Sequence, residues 1–466
     1  MKPEFDPARL AAWCGGQWSG LPSAPIRGAS NDTRAIGPGD LFVALSGDHG
    51  DGHAYVRSAF EKGAAAALVR TGWAVPPGLP CLAAPDPLAA LQAIARAHRM
   101  AAGARIVGVT GSAGKSTVKE MTAALLASRW PTARTLGNWN NHIGLPLSLL
   151  TLVPGHHRFG VFEAGTNHPG EIAALCGVLK PEWGVVTNVG PVHVEYFKDV
   201  EGVAVEKRVL LECLPRDGVA VLNRDTPCYE KLKQVSPCRV LTASLVDGTA
   251  DLLGEILKDE SGDHQRIRVR EKGQIQMIRL SVPGRHNASN ALLAALVARE
   301  AGLSWDEIDA VLADFQPMRM RWQVHVAEGV TIVNDAYNAN PLSMAAALQT
   351  FRSTRCAGRK WLVLGEMREL GDQADSAHAA IGDVVAEGPW AGLLAVGPLA
   401  AGIAARACAA GYPGNRVECV PDAEAAAEAI RSRVKAGDAV LIKASRGVRL
   451  ERVAQALGAP VAPGGH

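Results

Sequence analysis

Charge of one sign is what this sequence most lacks. Its 48 basic and 46 acidic residues leave a formal net charge of +2. A nucleic-acid groove needs a basic excess to displace counterions, and no basic stripe supplies one here. Paired cysteines are also missing. The nine cysteines are scattered singly with no C-x-x-C spacing, the pattern of reduced thiols in a cytoplasmic protein. Long apolar runs are absent as well. The uncharged stretch from Gly388 to Ala405 is mostly Ala and Gly, broken by Pro389, Pro398 and Gly402. It reads as a strand at Leu393 to Val396, a Gly-Pro turn and an Ala-rich helix, since a membrane span needs about 20 strongly apolar residues. Met1 to Trp13 carries Glu4 and Asp6 without an apolar run and does not read as a secretory signal. There is no internal repeat and no low-complexity tract. Gly464-Gly465 reads as part of a frayed tail.

What is present is ordinary material for a soluble globular chain. The sequence has 466 residues, 48% hydrophobic and 20% charged, enough for about three domains of roughly 150 residues each. Residues 1–104 form a first, small α/β block, with strands predicted at Asp40 to Leu45 and Ala64 to Val69. A helix is expected at Tyr55 to Lys62, a Pro-rich loop at Pro76 to Pro87, and a helix at Leu88 to Met100. Residues 105–317 alternate short apolar strands with helices, the rhythm of a mostly parallel sheet. The strands are Ile106 to Thr110, Phe159 to Glu163, Gly184 to Asn188 and Val219 to Asn223. Alternating residues from Arg266 to Leu280 around Glu271-Lys272-Gly273 predict an antiparallel hairpin added to this block. Residues 318–466 repeat the alternation, with strands at Thr331 to Asn334, Lys360 to Gly365, Leu393 to Val396, Arg416 to Val420 and Ala439 to Lys443. They read as a second doubly wound, Rossmann-like α/β unit.

The strand at Ile106 runs directly into Gly111-Ser112-Ala113-Gly114-Lys115-Ser116-Thr117 and then a helix from Ser116 to Ser128. Glycines let backbone N–H groups turn inward around phosphate oxygens. The helix start adds the positive end of its dipole. Lys115 supplies a mobile charge for β and γ phosphates, and the Ser116 hydroxyl suits Mg²⁺. The pattern therefore reads as an ATP-binding phosphate loop in a P-loop ATPase-type domain. It departs from the general pattern in placing Val109 where a first glycine would fall, which leaves a shorter G-x-x-G-K-S motif.

Three downstream residues add candidate chemistry. Glu163 ends one strand and His193 lies just past another, and the carboxyl ends of strands are where α/β sheets hold ligands. A carboxylate suits Mg²⁺; histidine is a less usual ligand for so hard a cation. Lys207 falls on a predicted helix, where lysine is ordinarily solvated.

Taken together, these segments resemble the ATP-dependent Mur ligases, which add amino acids to the peptidoglycan precursor. The resemblance runs through all three blocks in order. Ser30-Asn31-Asp32-Thr33-Arg34 and Pro38 to Leu45 are similar to the family's uridine-nucleotide-binding domain, which implies that Ser30, Asp32 and Arg34 meet the UDP-linked substrate. Thr110 to Thr117 resembles the family's phosphate loop, itself the shorter glycine form. Gly137-Asn138-Trp139-Asn140-Asn141-His142-Ile143-Gly144 and the Glu163 segment imply substrate contacts at Asn138, Asn141, Thr166, Asn167 and His168. Glu163 and His193 match positions that hold Mg²⁺ in the family, with Ser116. Lys207 aligns with a lysine carried as a carbamate, an anion that would help hold a second Mg²⁺. The family usually has a glutamate two residues later, and this chain has Val209.

The resemblance extends to the nucleotide and the amine. Gly284-Arg285-His286-Asn287-Ala288-Ser289-Asn290 is similar to the adenine-side segment and implies nucleotide contacts at His286, Asn287 and Asn290; Asn287 could also cap its helix. Arg319 best fits the family arginine near the γ-phosphate, with Arg321 the alternative. Asn334-Asp335-Ala336-Tyr337-Asn338-Ala339-Asn340-Pro341 looks like the version found in members that add D-alanyl-D-alanine, with Asp335 toward the ribose and Asn338 toward the dipeptide. Gly365 to Gly371 and Lys443-Ala444-Ser445-Arg446-Gly447 complete the pattern and imply substrate contacts at Ser445 and Arg446.

The implied cofactors are ATP and Mg²⁺. The implied partners are UDP-N-acetylmuramoyl-tripeptide and D-alanyl-D-alanine, handled by a cytoplasmic monomer whose domains close around three substrates. The third residue of the acceptor peptide, meso-diaminopimelate or lysine, stays open. A folate polyglutamylating ligase of the same superfamily is the runner-up; the Ser30 to Arg34 and Asp335 to Pro341 segments count against it. A non-catalytic nucleotide-gated module is the reading from another class, opposed by the joint presence of Lys115, Glu163 and Asp335.

Overall fold

The computed structural model describes residues 2–47, 50–257 and 264–460, so Gly464-Gly465 lies outside the described residues. Three large sheets follow one another along the chain, with a two-stranded ribbon of Ser46–Gly47 and Gly50–Asp51 in the first block. The first has five strands in the spatial order Gln17–Trp18, Cys81–Ala84, Ala66–Arg70, Asp40–Val43, Gly28–Ser30. All its neighbours are parallel except the Gln17–Trp18 edge. Cys81–Ala84 corrects the expectation of an unbroken loop from Pro76 to Pro87. Proline punctuates both ends of that stretch, but its middle is apolar, and Cys81, Leu82 and Ala84 are fully buried.

The second sheet has nine strands. Third from one edge is the strand Arg105–Thr110, flanked in parallel register by Phe159–Glu163 and Trp183–Val186. These runs are apolar throughout because both faces are covered by helices. The far edge is the antiparallel hairpin Gln265–Glu271 and Gln274–Leu280. The third sheet has six strands, five of them parallel: Val330–Asn334, Ala439–Lys443, Lys360–Gly365, Gly392–Val396 and Val417–Val420. An antiparallel edge strand, Gln323–Ala327, was not foreseen. Its Val324 and Val326 are exposed, so it alternates around polar neighbours and lacks the apolar run that marks its buried partners.

Helix Pro87–Ala102 joins the first two sheets. It starts on the Asp86 carboxylate, which accepts from the Leu88 and Ala89 amides, with Pro87 at the first helical position. Leu91, Ile94 and Ala95 pack into one apolar cluster containing Leu41 and Leu68 of the first sheet and Leu145, Phe162 and Leu179 of the central domain. The helix also carries a buried cation across. Arg99 donates to the Leu179 and Lys180 carbonyls at 2.8 and 2.6 Å and to Glu182 at 2.6 Å. Glu182 in turn accepts from the Ile106 amide at 2.7 Å, at the head of the strand Arg105–Thr110. Removing one partner of a buried charged network leaves the others unpaired, at a cost of about 3 kcal/mol. Arg99→Met is therefore expected to lower the melting temperature by several degrees with nucleotide binding retained. Unchanged melting by calorimetry would remove the clamp from the account of how the first block is held.

Candidate functional site

Parallel register brings the carboxyl ends of Arg105–Thr110, Phe159–Glu163 and Trp183–Val186 to one edge of the central sheet. The chain leaves the first of these through Gly111, whose φ is +148° and whose place would put a Cβ 2.0 Å from Thr187 Oγ1. The loop is then held by its neighbours. The Ala113 amide donates to Asn188 Oδ1 at 2.8 Å, and Thr187 Oγ1 donates to the Ala113 carbonyl. Gly114, at φ +80°, comes so close to Asn290 that a Cβ would sit 2.5 Å from its Oδ1. The helix Lys115–Ala127 begins there, its first amides free to meet an anion.

Side chains at this edge are tightly linked. Glu163 is 1% exposed. One of its oxygens accepts from Ser116 Oγ at 2.8 Å and the other from Asn140 Nδ2 at 2.8 Å. Lys115 Nζ donates to the Gly111 carbonyl at 2.8 Å. Burial holds its pKa below the usual lysine value, against the pull of Glu163 and with a further push from Arg321. Arg321 comes from the third domain, and its Nη2 donates to Ser116 Oγ at 2.9 Å. Arg319 is exposed and does not line the cavity. The arginine at the phosphate loop is thus Arg321, which corrects the preference for Arg319. The turn between them holds Met320 and Trp322 at φ +56° and +53° and aims the two side chains differently.

A cavity of about 1370 Å³ opens over this edge, between the central and third domains. That exceeds the usual range for one small ligand, about 300–1,000 Å³, and leaves room for more than one substrate. Ser112 to Thr117, Asn138, Asn141, Glu163, Thr166, Asn167, His168 and His193 line it from the central sheet; His286, Asn287 and Asn290 line it from the helix Arg285–Ala301, and Asp335 and Asn338 from the third domain. Gly111 lies behind the loop. Asn287 does not cap its helix: its Nδ2 donates to the Pro283 carbonyl at 2.7 Å, and the cap position is Gly284.

Other expected residues sit elsewhere. Ser30, Asp32 and Arg34 form a local turn on the first sheet, with Arg34 Nη2 2.7 Å from Asp32, and they do not line the cavity. Ser445 is buried behind it, donating to the Ala339 carbonyl at 3.3 Å and accepting from the Arg368 amide at 3.0 Å. Arg446 pairs with Glu451 at 2.7 Å, also away from the cavity. These contacts make Ser445 a brace for the Asn338 loop and leave Arg446 on the surface side.

Lys207, expected on solvated surface by its helical setting, is 1% exposed on the helix Val200–Glu212. It does not line the cavity. Burial and then the nearby Lys115 charge push its pKa well below the usual lysine range. His193 Nδ1 lies 2.7 Å from Glu369 Oε2 of the third domain, an ion-pair approach that is not aligned as a hydrogen bond. Among the described residues no group of three or more His, Cys, Asp or Glu side chains is placed to hold a metal. Ser116 Oγ and the Glu163 carboxylate nevertheless form an oxygen pair at the loop. Mg²⁺ is typically held by one or two carboxylates with phosphate oxygens completing its shell, so these two suit it.

Several cavity residues were missed. Asn140 sits inside a quoted motif but was passed over for its neighbours. Lys443 Nζ binds Asp335 Oδ2 at 2.7 Å and the Asn338 carbonyl at 3.1 Å; its place in the Lys443 to Gly447 segment was the available signal. Tyr337 and Glu369 carried no separate signal.

Comparison with known proteins identifies the family. Three family models match: "Mur ligase family, catalytic domain" over residues 25–125, "Mur ligase middle domain" over 109–298, and "Mur ligase, glutamate ligase domain" over 318–446. The chain belongs to the Mur ligase family. It is 34% identical over 434 residues to the UDP-N-acetylmuramoyl-tripeptide--D-alanyl-D-alanine ligase of Bacillus subtilis (strain 168), covering 93% of each chain. Among solved structures it is similar to MurF from Acinetobacter baumannii, with a TM-score of 0.86, 25% identity and coverage of 98% and 99%. It is also similar to MurF from Thermotoga maritima in complex with ADP, with a TM-score of 0.80, 27% identity and coverage of 93% and 97%. As in the Mur ligase family models, the matched regions span all three sheets. No helix among the described residues is long and apolar enough to cross a membrane.

The electrostatics yield one pH prediction. His286 is pushed down to about 4, first by burial, with Asp335 pulling it up and Lys443 pushing it down. An unfolded histidine titrates near about 6.5, so between these values the unfolded chain binds the extra proton. Stability is therefore expected to fall as pH drops from about 6.5 to about 4, and His286→Gln should flatten that slope. A ring-proton titration of His286 with a midpoint near 6.5 would contradict it.

Proposed function

We propose that this chain is an ATP-dependent ligase joining D-alanyl-D-alanine to UDP-N-acetylmuramoyl-tripeptide, in the cytoplasm, through an acyl phosphate. The observation that carries the reading is the meeting of Lys115, the Ser116–Glu163 pair and Arg321, from two domains, in a cavity that Asp335 and Asn338 also line. The names of the relatives support the choice of substrates. A carboxylate is a poor electrophile toward an amine. Transfer of the γ-phosphoryl group from ATP to a carboxylate oxygen releases ADP and leaves an acyl phosphate. The dipeptide amine attacks its carbonyl carbon, loses a proton and expels phosphate.

The protein's part is positioning and charge compensation, the usual burden in phosphoryl transfer. Loop amides and Lys115 take the phosphates, and Arg321 meets the transferring group from the other side. Ser116 and Glu163 would hold Mg²⁺, which screens phosphate charge when bound; His193, which lines the same cavity, would support that site. His286, Asn287 and Asn290 take the adenine side, Asp335 the ribose and Asn338 the dipeptide. Ser30, Asp32 and Arg34 take the uridine nucleotide, with the peptide passing Asn138, Asn141, Thr166, Asn167 and His168. Lys207, whose pKa burial and then the Lys115 charge hold well below the usual lysine range, would add CO₂ through its unprotonated amine to form a carbamate with release of one proton; that anion would then stand near the Lys115 charge.

Phosphate release from ATP should require both the UDP-linked tripeptide and D-alanyl-D-alanine, and single D-alanine should not substitute. Release independent of the dipeptide would refute the assignment. Lys115→Ala should lose turnover by at least about 100-fold with the fold intact. Lys207→Ala should be inactive but partly rescued by bicarbonate or short carboxylic acids; full activity without additives would exclude the carbamate.

A further inference from the structure

Arg321 is held in an unusual way for a side chain that must cross a domain boundary. Its Nη2 makes the bond to Ser116 at 2.9 Å, yet its Nε is buried without a hydrogen-bond partner. No carboxylate of its own domain clamps it. Instead the guanidinium carbon lies 4.1 Å from the centroid of the Tyr337 ring, well inside the range of a cation–π contact. The Tyr337 side chain also lies beside Asn138 of the central domain. One aromatic side chain therefore touches both the arginine and the facing domain.

The backbone around the pair is arranged to the same end. Met320 and Trp322, on either side of Arg321, both adopt left-handed φ values, which are costly for large side chains and persist only where surroundings impose them. Here the surroundings are the Tyr337 segment. The Tyr337 amide donates to the Met320 carbonyl at 3.1 Å, and the Trp322 amide donates to Asp335 Oδ1 at 3.0 Å. The loop after strand Val330–Asn334 thus shapes the turn that carries Arg321 and also supplies the ring under it.

We propose that Tyr337 is a positioning residue for the transferring phosphoryl group, acting through Arg321: its ring face aims the guanidinium at the phosphate loop. The inference rests on the ligase reading above. A structural role alone would make Tyr337 matter equally with or without Arg321, whereas a positioning role makes the two effects overlap.

The test is a double-substitution cycle in the full-length chain, following phosphate release with both acceptor and dipeptide present. Tyr337→Leu should lower kcat about tenfold, the scale of one cation–π contact, with KM for ATP changed less than kcat. Tyr337→Phe keeps the ring face and should stay within about threefold of the unsubstituted enzyme. Arg321→Ala should be much weaker, and adding Tyr337→Leu to it should cost nothing further. Additive losses would overturn the proposal, and so would a Phe variant as poor as the Leu variant. Should the Leu chain not fold, the Phe variant decides alone: a tenfold loss there counts against the ring-face role. Activity of the unsubstituted chain separates the two levels. Dipeptide-independent release defeats the ligase reading, while normal ligation with additive substitutions defeats only the role of Tyr337.

Discussion

The buried carboxylate of Glu163 is the point on which the rest of the site depends. One oxygen holds Ser116 of the phosphate-loop helix and the other holds Asn140 of the Gly137 to Gly144 loop. Through Ser116 it is linked to Arg321 of the third domain. Its own amide is fixed by Thr135 Oγ1 at 2.8 Å. A charge in so enclosed a place is tolerated only when its lone pairs are occupied. Satisfying them brings the nucleotide loop, a substrate loop and a second domain into register around one strand end.

That arrangement explains why catalytic charge is divided between domains. Lys115 and Arg321 repel each other when no anion lies between them, which adds to burial, the main cause, in lowering the pKa of Lys115. Bringing in a phosphate converts the repulsion into attraction to a shared partner. His193 and Glu369 approach each other nearby, and Val194 of the central domain joins the third-domain apolar cluster that holds Met367 and Leu370.

The first block is handled differently. Its helix Pro87–Ala102 shares an apolar cluster with the central domain and adds the Arg99 clamp. Burial of apolar area over a broad face is non-directional and hard to reverse, whereas a few polar contacts can open and close. The chain thus joins its first block to the central sheet through a broad apolar face, and its third domain through a mixture of polar and apolar contacts beside the cavity.

Local regularities of the sequence determined the class of fold, the strand that feeds the phosphate loop, the antiparallel hairpin at Arg266 to Leu280 and most residues at the strand ends. Apolar runs and glycine turns act over a few residues, so they can be read without the rest of the chain. The Cys81–Ala84 strand and the Gln323–Ala327 edge escaped because proline punctuation and surface alternation hide pairing partners that are distant in sequence. Only tertiary structure chose Arg321 over Arg319. Two residues of spacing leave either able to reach, and the decision lies in a turn whose left-handed Met320 and Trp322 are imposed by Asp335 and Tyr337 from another segment. Only tertiary structure likewise buried Lys207, since helical periodicity does not say which neighbours will close over a face.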